Sequence, residues 1–391
     1  MQHLFLAWEA TSESGWGAAG LNIFFHMAVM PGMQPLMLFP IQEQDLRMVD
    51  PLRLGRARAA IEFSNPNAEK VLGMIKSTKV ALDVPVVHAL GNTMEPVHRG
   101  RLGGKKNIGR IVFEITDLKS RLPLLDPYDV FVCASEWNGT ILRKHVSKPV
   151  HVLHEGVDPS LFCPGPKSGL MDPNRFYIFT GGKIEFRKGQ DLVLMAFREF
   201  SRRHDDAVLV TLWHNPWPKI SLGFQGKLDK PLGATADGHL DIQKWMADNG
   251  INPARVMNLG MVPNQMLPMV LREMDCALQP SRAEGGTNFI AMEAMACGLP
   301  VIIGRNTGML DIMKDDNCVP LMRQGPVPDA QGWGQEGWGE SDVEEILEAL
   351  ETLYTSREKR KQIGAAAAAF MGQRNWAQHT AKLKELVAGL L

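Results

Sequence analysis

The sequence predicts an α/β protein of two domains, each a parallel sheet with helices on both faces. Short apolar runs alternate with helical stretches along the whole chain, which is the pattern of parallel sheets. The chain has 391 residues, too many for one ordinary hydrophobic core, so two domains are expected. Residues 162–175 are rich in turn formers such as proline and glycine, and they predict the join between the domains.

The elements follow one another in a regular order. Residues 331–339, with two Gly-Trp-Gly repeats, are predicted to be a surface loop. Ser341 is predicted to cap the next helix, because Glu344 follows it by three residues. The last helix is predicted to begin near Asn375 and Trp376. Strands are predicted at residues 3–8, 86–90, 110–115, 130–134 and 150–153, and then at 176–180, 207–213, 256–259, 276–279 and 301–303.

The composition excludes several classes of protein. Hydrophobic residues make up 45% and the formal net charge is -1, which favours a soluble globular protein over a dedicated nucleic-acid binder. Five scattered cysteines form neither a zinc pattern nor a disulfide framework, so a reducing, cytoplasmic location is expected. The apolar opening segment contains Glu9 and has no basic leader, which predicts a first strand rather than a signal peptide.

Residues 281–300 contain the most informative motif. An apolar segment runs into Ser281, and Glu284 and two glycines precede a helix-forming stretch. A strand, a glycine turn and a helix direct unpaired backbone N–H groups at an anion. Carboxylates such as Glu284 and Glu293 repel phosphate but accept hydrogen bonds from hydroxyls. The motif therefore predicts a ligand that carries both phosphate and sugar.

This motif resembles the signature of the retaining, nucleotide-sugar-dependent glycosyltransferases of family 4, which have the GT-B fold. The resemblance implies that Glu284 binds hydroxyls of the donor sugar and that Glu293 binds the ribose. Eight residues separate the two glutamates here, whereas the family usually has seven, so either Glu284 or Gly285 takes the first position. We favour Glu284, because a glycine turn absorbs an insertion more easily than a helix does. The other residues expected to bind the donor at this turn are Gly285, Gly286, Thr287 and Asn288.

The resemblance also implies a domain plan and an activity. Two Rossmann-like domains face each other, an acceptor domain at 1–165 and a donor domain at 166–374, and a helix at 375–391 crosses back onto the first. The hinge-side sequence Gly156-Val-Asp158 matches the family. The implied reaction moves a hexose from a nucleotide diphosphate sugar to a hydroxyl of a glycan, lipid or small molecule, with no cofactor and no required metal.

A basic motif follows the strand predicted at residues 176–180. The stretch Gly181-Gly-Lys-Ile-Glu-Phe-Arg-Lys-Gly189 resembles the family motif of an arginine, four residues and Lys-Gly, with Lys183 and Lys188 in the cationic positions. Cations beside a departing nucleoside diphosphate lower the barrier, so both lysines are candidate catalytic residues and Gly182 is expected to contact the donor. The alternative is a solvated basic turn.

Two candidates belong to the first domain. Gly15 and Gly17 lie in a glycine loop after the first strand, where the resemblance implies contact with donor phosphates; a plain turn is the alternative. The family's strand-end histidine is missing, and Glu114 is the candidate to face the cleft in its place. His88 is another candidate, although a histidine on a strand is more often structural.

Several alternatives remain open. Basic residues between Arg99 and Arg110 could meet an anionic acceptor or a membrane surface, giving a possible peripheral membrane contact, or they could form a solvated loop. The rival functions are a non-catalytic sugar-nucleotide-binding GT-B protein and a nucleotide-sugar epimerase or phosphorylase on the same fold. The sequence predicts neither the sugar, the base, the acceptor nor the oligomeric state.

Overall fold

The computed structural model of the chain describes residues 2–12, 14–46 and 49–390. Two six-stranded sheets form its two domains, and their neighbouring strands pair in parallel, which confirms the predicted α/β class. Helices cover both faces of the central strands in such sheets, so the sequences of these strands are continuous apolar runs.

In the first domain, the described residues form eight strands and four α-helices. The strands are β1 (Gln2–Ala7), β2 (Met33–Met37), β3 (Val80–Leu82), β4 (Val86–Leu90), β5 (Leu102–Gly104), β6 (Asn107–Ile111), β7 (Val130–Cys133) and β8 (Val150–Val152). The helices are α1 (Gly15–Ala28), α2 (Glu43–Leu46), α3 (Pro51–Ile75) and α4 (Glu136–Arg143). The main sheet has the order β2-β1-β4-β6-β7-β8.

The second domain repeats this plan. Its strands are β9 (Phe176–Lys183), β10 (Ala207–His214), β11 (Val256–Asn258), β12 (Cys276–Gln279), β13 (Val301–Gly304), β14 (Val319–Leu321), β15 (Gln324–Gly325) and β16 (Glu340–Ser341). Its helices are α5 (Gln190–Arg203), α6 (Pro218–Ser221), α7 (Ile242–Asp248), α8 (Leu267–Leu271), α9 (Phe289–Ala296), α10 (Val343–Thr355) and α11 (Arg357–Gly372). The main sheet has the order β11-β10-β9-β12-β13-β14.

Sequence patterns missed the outermost strands β2 and β14. Each contains a proline, Pro35 in β2 and Pro320 in β14, and each lies at the edge of its sheet. Proline has no N–H to donate to a ladder, so edge strands tolerate it and sequence rules penalise it. The strand predicted at residues 110–115 is β6, which begins and ends earlier than predicted. It ends before Phe113 because the side-chain amide of Asn138 bonds both the N–H and the C=O of that residue.

The last helix, α12 (Trp376–Gly389), crosses back onto the first domain as predicted. The N–H of Trp376 donates to the carbonyl of Val157 at 3.3 Å, which joins the helix start to the hinge. Leu383 and Val387 are buried in the first domain's core together with residues of β1 and α1. None of the described helices is both long and apolar enough to cross a membrane.

Two details correct the predictions for residues 331–342. The segment 331–339 is not simply a surface loop, because it also hydrogen-bonds to the first domain, with the carbonyl of Trp333 accepting from the N–H of Asp117 at 2.8 Å. The cap of α10 is Asp342 rather than Ser341, and its side chain accepts from the N–H of Glu345. Ser341 belongs to the short strand β16 instead.

Candidate active site

Glu284 lies at the centre of a cluster of buried polar side chains between β12 and α9. Its carboxylate accepts hydrogen bonds from Lys188 Nζ at 2.7 and 2.9 Å and from Arg187 Nη1 at 2.7 Å. Ser281 Oγ and Asn288 Nδ2 donate to the same carboxylate at 2.8 and 2.9 Å. The parallel strands β9 and β12 are neighbours, so the segments after their carboxyl ends meet at one edge of the sheet.

The two glycines after Glu284 form a contact between the domains. A Cβ added at Gly285 would lie 2.4 Å from the carbonyl oxygen of Phe113, and one at Gly286 would lie 3.1 Å from a carboxylate oxygen of Glu155. The hydroxyl of Ser135 donates to the carbonyl of Gly285 at 2.6 Å. Of the two positions considered for the first family glutamate, only Glu284 therefore brings a carboxylate into the cluster.

Asn288 fixes the start of α9. It adopts φ = 67°, in the left-handed region that asparagine tolerates better than most residues. Its Oδ1 accepts from the N–H of Ala291 and caps the helix, while its Nδ2 reaches back to Glu284. Thr287 beside it is fully buried. The turn is therefore ordered by its own side chains.

Arg187 is the cation that the sequence analysis missed. In the short 3-10 turn Phe186–Lys188, its guanidinium bonds Glu284 and lies 2.9 Å from a carboxylate oxygen of Glu185 and 3.5 Å from one of Glu114. Burial alone would lower its pKa, but the three carboxylates outweigh burial and raise it. The family motif has cationic positions at Lys183 and Lys188, and it assigns no role to Arg187 between them.

The two predicted lysines lie in different surroundings. Lys188 is largely buried and touches Glu284, and a Cβ at Gly182 would meet the Lys188 side chain at 3.8 Å. Lys183 is 38% exposed; its Nζ lies 3.0 Å from Glu185 and 5.1 Å from the ring centre of Trp217. Among the described residues, Glu185 therefore joins the Lys183 side chain to the cluster.

The ionisation of the cluster follows from its pairing. Burial raises the pKa of Glu284, but Lys188 and Arg187 outweigh it and hold the pKa below the ordinary value. The same competition lowers the pKa of Glu185 to about 2, mainly through Arg187 and Lys183. Burial lowers the pKa of Lys188, and Glu284 offsets part of that effect. The carboxylates of Glu284 and Glu185 are therefore ionised at neutral pH.

Glu293 lies apart from this cluster, in a wall of a cavity between the domains. The cavity has a volume of about 650 Å³ and is mostly apolar. Asn264 Nδ2 donates to Glu293 Oε1 at 2.5 Å, a partner that the sequence analysis did not identify. Burial raises the pKa of Glu293 to about 8, although the bond from Asn264 opposes the shift. The cavity is also lined by residues of α1 and α3, by the hinge residues Gly156, Val157 and Asp158, and by Phe289 and Trp376.

Glu293 and Glu284 should change stability with pH in opposite directions. Between pH 4.5 and about 8 the folded Glu293 keeps a proton that the unfolded chain loses, so this group lowers stability as the pH rises. Glu293→Gln should therefore raise the free energy of unfolding by roughly 1–3 kcal/mol at pH 8 and hardly at all near pH 4. Denaturant titrations at the two pH values measure the difference.

Glu284→Gln is the matched control. The pKa of Glu284 is depressed, so its carboxylate stabilises the fold above the ordinary value of 4.5 and loses that effect as the pH falls through the folded pKa. This variant should be less stable than the wild type at pH 7, and the deficit should shrink in acid. Equal pH profiles for the two variants would contradict the two environments described for the carboxyl groups.

Glu114 reaches the cluster from the first domain. It follows β6, and its carboxylate accepts a hydrogen bond from Asn92 Nδ2 at 2.7 Å as well as facing Arg187. The side chain of Asn92 also accepts from the N–H of Glu114, at 2.7 Å. His88, the other candidate, is buried away from the cleft, with ring nitrogens 2.8 Å from His98 and 2.9 Å from Asn107.

The predicted glycine loop forms the start of α1. Ser14 caps the helix through the N–H of Gly17. A Cβ at Gly15 would lie 2.9 Å from the ring of Phe289 at the start of α9, and one at Gly17 would lie 2.1 Å from Thr11 Cγ2. The two helix starts, one from each domain, therefore face each other, and both glycines are packed too closely for a side chain.

Arg110 corrects one expectation about the basic segment. It is fully buried rather than part of a solvated loop or an exposed basic surface. Its Nη2 donates to Glu155 at 2.6 Å, and its guanidinium lies 4.6 Å from the ring centre of Trp8 and 5.2 Å from that of Trp16. Arg101 is also tied internally, because it donates to two carbonyls at the end of α3.

Sequence comparison finds a family model that matches most of the second domain. A family model described as Glycosyl transferases group 1 matches residues 175–355, which include Lys188, Glu284 and Glu293. Residues 175–355 are therefore similar to the group 1 glycosyl transferases. The matched span begins next to β9 and ends with α10, so it contains the whole of the second main sheet.

The curated relatives of this chain are distant. The chain is 24% identical over 250 residues to a GDP-mannose-dependent alpha-(1-6)-phosphatidylinositol monomannoside mannosyltransferase of Mycolicibacterium smegmatis, covering 61% of the chain and 56% of the relative. It is 26% identical over 246 residues to a D-inositol 3-phosphate glycosyltransferase of Segniliparus rotundus, covering 61% and 47%. The chain thus spans about half the length of these relatives.

Solved structures match the chain along its entire length. Sucrose-phosphate synthase from Thermosynechococcus elongatus gives a TM-score of 0.66 at 13% identity, covering 100% of this chain and 99% of that one. Anabaena HepE in complex with UDP gives a TM-score of 0.63 at 13% identity, covering 100% of both chains. At this identity the likeness shows the fold alone, and it confirms the GT-B prediction.

Proposed function

We propose that this chain is a cytoplasmic, metal-independent glycosyltransferase that moves a hexose from a nucleotide diphosphate sugar to an acceptor hydroxyl with retention of configuration. One observation carries the proposal: a buried, ionised Glu284 is held by Lys188 and Arg187 beside the start of α9, opposite the first domain. Cations and a helix start suit a diphosphate, and an adjacent carboxylate suits sugar hydroxyls.

The nucleoside would occupy the cavity beside Glu293. Its volume of about 650 Å³ lies in the range of small-molecule sites. A buried carboxyl is well suited to hold the ribose hydroxyls, and Asn264 keeps it oriented. Anabaena HepE, which shares the fold, was crystallised in complex with UDP. Phe289, the first residue of α9, lines the same cavity, so the first half of one helix would border both the ribose and the diphosphate.

The diphosphate would be stabilised by Lys188 and the start of α9. When the bond between the anomeric carbon and the diphosphate oxygen breaks, negative charge grows on the leaving oxygen, and preorganised donors lower the barrier. The acceptor oxygen forms the new bond to the anomeric carbon, and its proton passes to the leaving diphosphate. Attack on the same face as departure accounts for retention without a covalent nucleophile.

Glu284 and Glu114 would hold the sugar from opposite domains. Both carboxylates contact Arg187, so they lie on either side of one guanidinium where the domains meet. Lys183, Arg187 and Lys188 carry three positive charges, and Glu114, Glu185 and Glu284 carry three negative charges. A bound diphosphate would therefore draw Lys188 partly away from Glu284, which frees that carboxylate to accept from sugar hydroxyls.

A donor screen tests the proposal. UDP, GDP and ADP sugars are compared by thermal shift, where a ligand at 100 times its Kd stabilises by about 2.7 kcal/mol. The stabilising donor is then incubated with candidate acceptors in the presence of EDTA, and NMR of the product gives its anomeric configuration. Binding without turnover would indicate a sugar-nucleotide-binding protein, and donor conversion without an acceptor would indicate an epimerase or a phosphorylase.

Two alanine variants should separate ribose from sugar recognition. Glu293→Ala should weaken the binding of the nucleoside diphosphate and of the intact donor alike, by about 10- to 100-fold, because the buried ribose hydroxyls lose their hydrogen-bond partner. Glu284→Ala should weaken the donor by a similar factor but not the bare nucleotide, because only the donor carries the sugar. Calorimetry measures the Kd of both ligands for both variants. Equal losses of affinity for the two ligands in both variants would refute the assignment of the ribose to Glu293 and of the sugar to Glu284.

A further inference from the structure

Residues 329–339, which we call the strap, leave the second domain and dock on the first. The carbonyl of Trp333 accepts from the N–H groups of Asp117 at 2.8 Å and Thr116 at 3.2 Å. The carbonyl of Gly334 also accepts from Thr116, at 3.0 Å, and the N–H of Glu336 donates to Thr116 Oγ1 at 3.1 Å. The main chain of the strap is therefore bonded to the segment that follows β6.

Side chains extend this contact towards the cluster. Trp137 Nε1 of α4 donates to the carbonyl of Glu336 at 3.1 Å, and the Glu336 carboxylate pairs with Lys144. Trp338 Nε1 of the strap donates to the carbonyl of Glu114 at 2.9 Å. The strap thus contacts the main chain of the residue whose carboxylate faces Arg187.

The strap is braced internally at its beginning and anchored in the second domain at its end. At its beginning, the carboxylate of Asp329 accepts from the N–H groups of Trp333 and Gly334 at 3.0 and 2.8 Å. At its end, the N–H of Gly339 donates to the carbonyl of Arg282 at 3.0 Å. Arg282 is fully buried and paired with Asp191, so this anchor is rigid.

The glycines of the strap fit its partner surface. Gly334 has φ = 76°, and a Cβ there would lie 2.4 Å from the backbone nitrogen of Asp117. Gly337 has φ = 83°, and a Cβ there would lie 2.7 Å from Trp137 Nε1. At Gly332, with φ = 65°, no described atom lies within 4 Å of an added Cβ. All three glycines adopt a left-handed backbone, but only at Gly334 and Gly337 would an added side chain collide with the first domain.

We infer that the strap is a positioning element of the active site, and that Trp338 is the positioning residue through which the second domain holds Glu114 of the first. The inference rests on the proposed glycosyltransferase function. Asn92 fixes Glu114 from within the first domain, and Trp338 fixes it from the second. Docking of the strap therefore adds to Glu114 a contact from the second domain, which couples domain closure to completion of the site.

Gly334→Ala tests docking, and Gly332→Ala is its matched control. Both substitutions place alanine at a left-handed position, but only Ala at 334 meets the first domain. In Gly334→Ala, hydrogen exchange at the N–H groups of Thr116 and Asp117 should accelerate at least tenfold, and kcat should fall about 30-fold with the Kd for nucleoside diphosphate within threefold of wild type. Gly332→Ala should leave exchange and kcat near wild type.

Trp338→Phe tests positioning, and Trp333→Phe is its control in the same strap. Trp338→Phe removes the N–H donor to Glu114, so kcat should fall about three- to tenfold while KM for the donor changes little. Trp333 is 52% exposed and docks through its carbonyl, so Trp333→Phe should keep wild-type kcat. A loss seen only in KM, or equal losses in both variants, would overturn the positioning role.

The readouts separate this inference from the proposed function. Hydrogen exchange needs no substrate, so unchanged exchange in Gly334→Ala would show that the strap does not dock in solution and would overturn the inference alone. A wild-type protein that binds no nucleotide sugar and transfers none would refute the proposed function, and the positioning role with it. If Gly334→Ala accelerates exchange but keeps the wild-type kcat, the strap docks in the wild type without positioning Glu114, and the positioning role is refuted.

Discussion

We expect Lys188→Met to lower kcat for sugar transfer about 100- to 1,000-fold, which corresponds to about 2.7–4 kcal/mol of barrier by analogy with a lost oxyanion donor. The lysine is largely buried and holds both oxygens of Glu284, so its charge acts in a site of low polarity. Methionine keeps the length and apolar stem of the side chain. Steady-state kinetics with the donor found by the thermal-shift screen measure the loss.

Lys183→Met is the matched control for this result. Lys183 is 38% exposed and touches Glu185 rather than Glu284, so its removal should cost at most about tenfold in kcat. Thermal unfolding of both variants shows whether they remain folded. A folded Lys188→Met enzyme with wild-type kcat/KM would refute the phosphate role of Lys188, and a larger loss in Lys183→Met would reverse the order that the geometry gives.

Removing residues 375–391 should abolish activity and destabilise the first domain. The deletion takes away Trp376, whose ring centre lies 5.9 Å from that of Phe289, and exposes the core that Leu383 and Val387 cover. Trp376→Ala alone should cost about 3–5 kcal/mol of unfolding free energy, which is typical of a buried tryptophan. Circular dichroism and denaturant titration measure both variants.

Glu385→Ala provides the control for the helix itself. This residue is exposed on α12, so its replacement should change the unfolding free energy by less than about 0.5 kcal/mol.

Solution scattering should show a compact wild type and an expanded truncated chain. A truncated protein that stays compact, stable and active would mean that α12 is dispensable for the first domain.

Sequence reasoning reached the parts of the site that are local in the chain. The strand, turn and helix around Glu284 are encoded within some twenty residues, so their geometry could be predicted before the fold was known. Lys188 could be predicted because it matches the lysine of a short family motif, an arginine, four residues and Lys-Gly. The crossing helix was implied by a resemblance that extends over the second domain and the hinge.

The remaining partners depend on contacts between distant segments. Asn264 meets Glu293 across 29 positions of the chain, and Trp338 meets Glu114 across 224, so no short pattern contains either pair. Arg187 was missed for another reason, since it stands next to a recognised lysine and its importance appears only when three carboxylates surround it. The strap looked like an ordinary glycine-rich loop because its function lies in what it touches.

The path of α12 also sets the order in which the chain can fold on the ribosome. The strands of the second sheet, from β9 to β14, emerge before residue 376, so the second domain can close its core while the first still lacks its last helix. At about 5–20 residues per second, the interval between β8 and α12 lasts roughly 10–45 s. During that time the apolar surface around β1 and α1 remains uncovered on the nascent chain, and it is the surface on which a chaperone is expected to act.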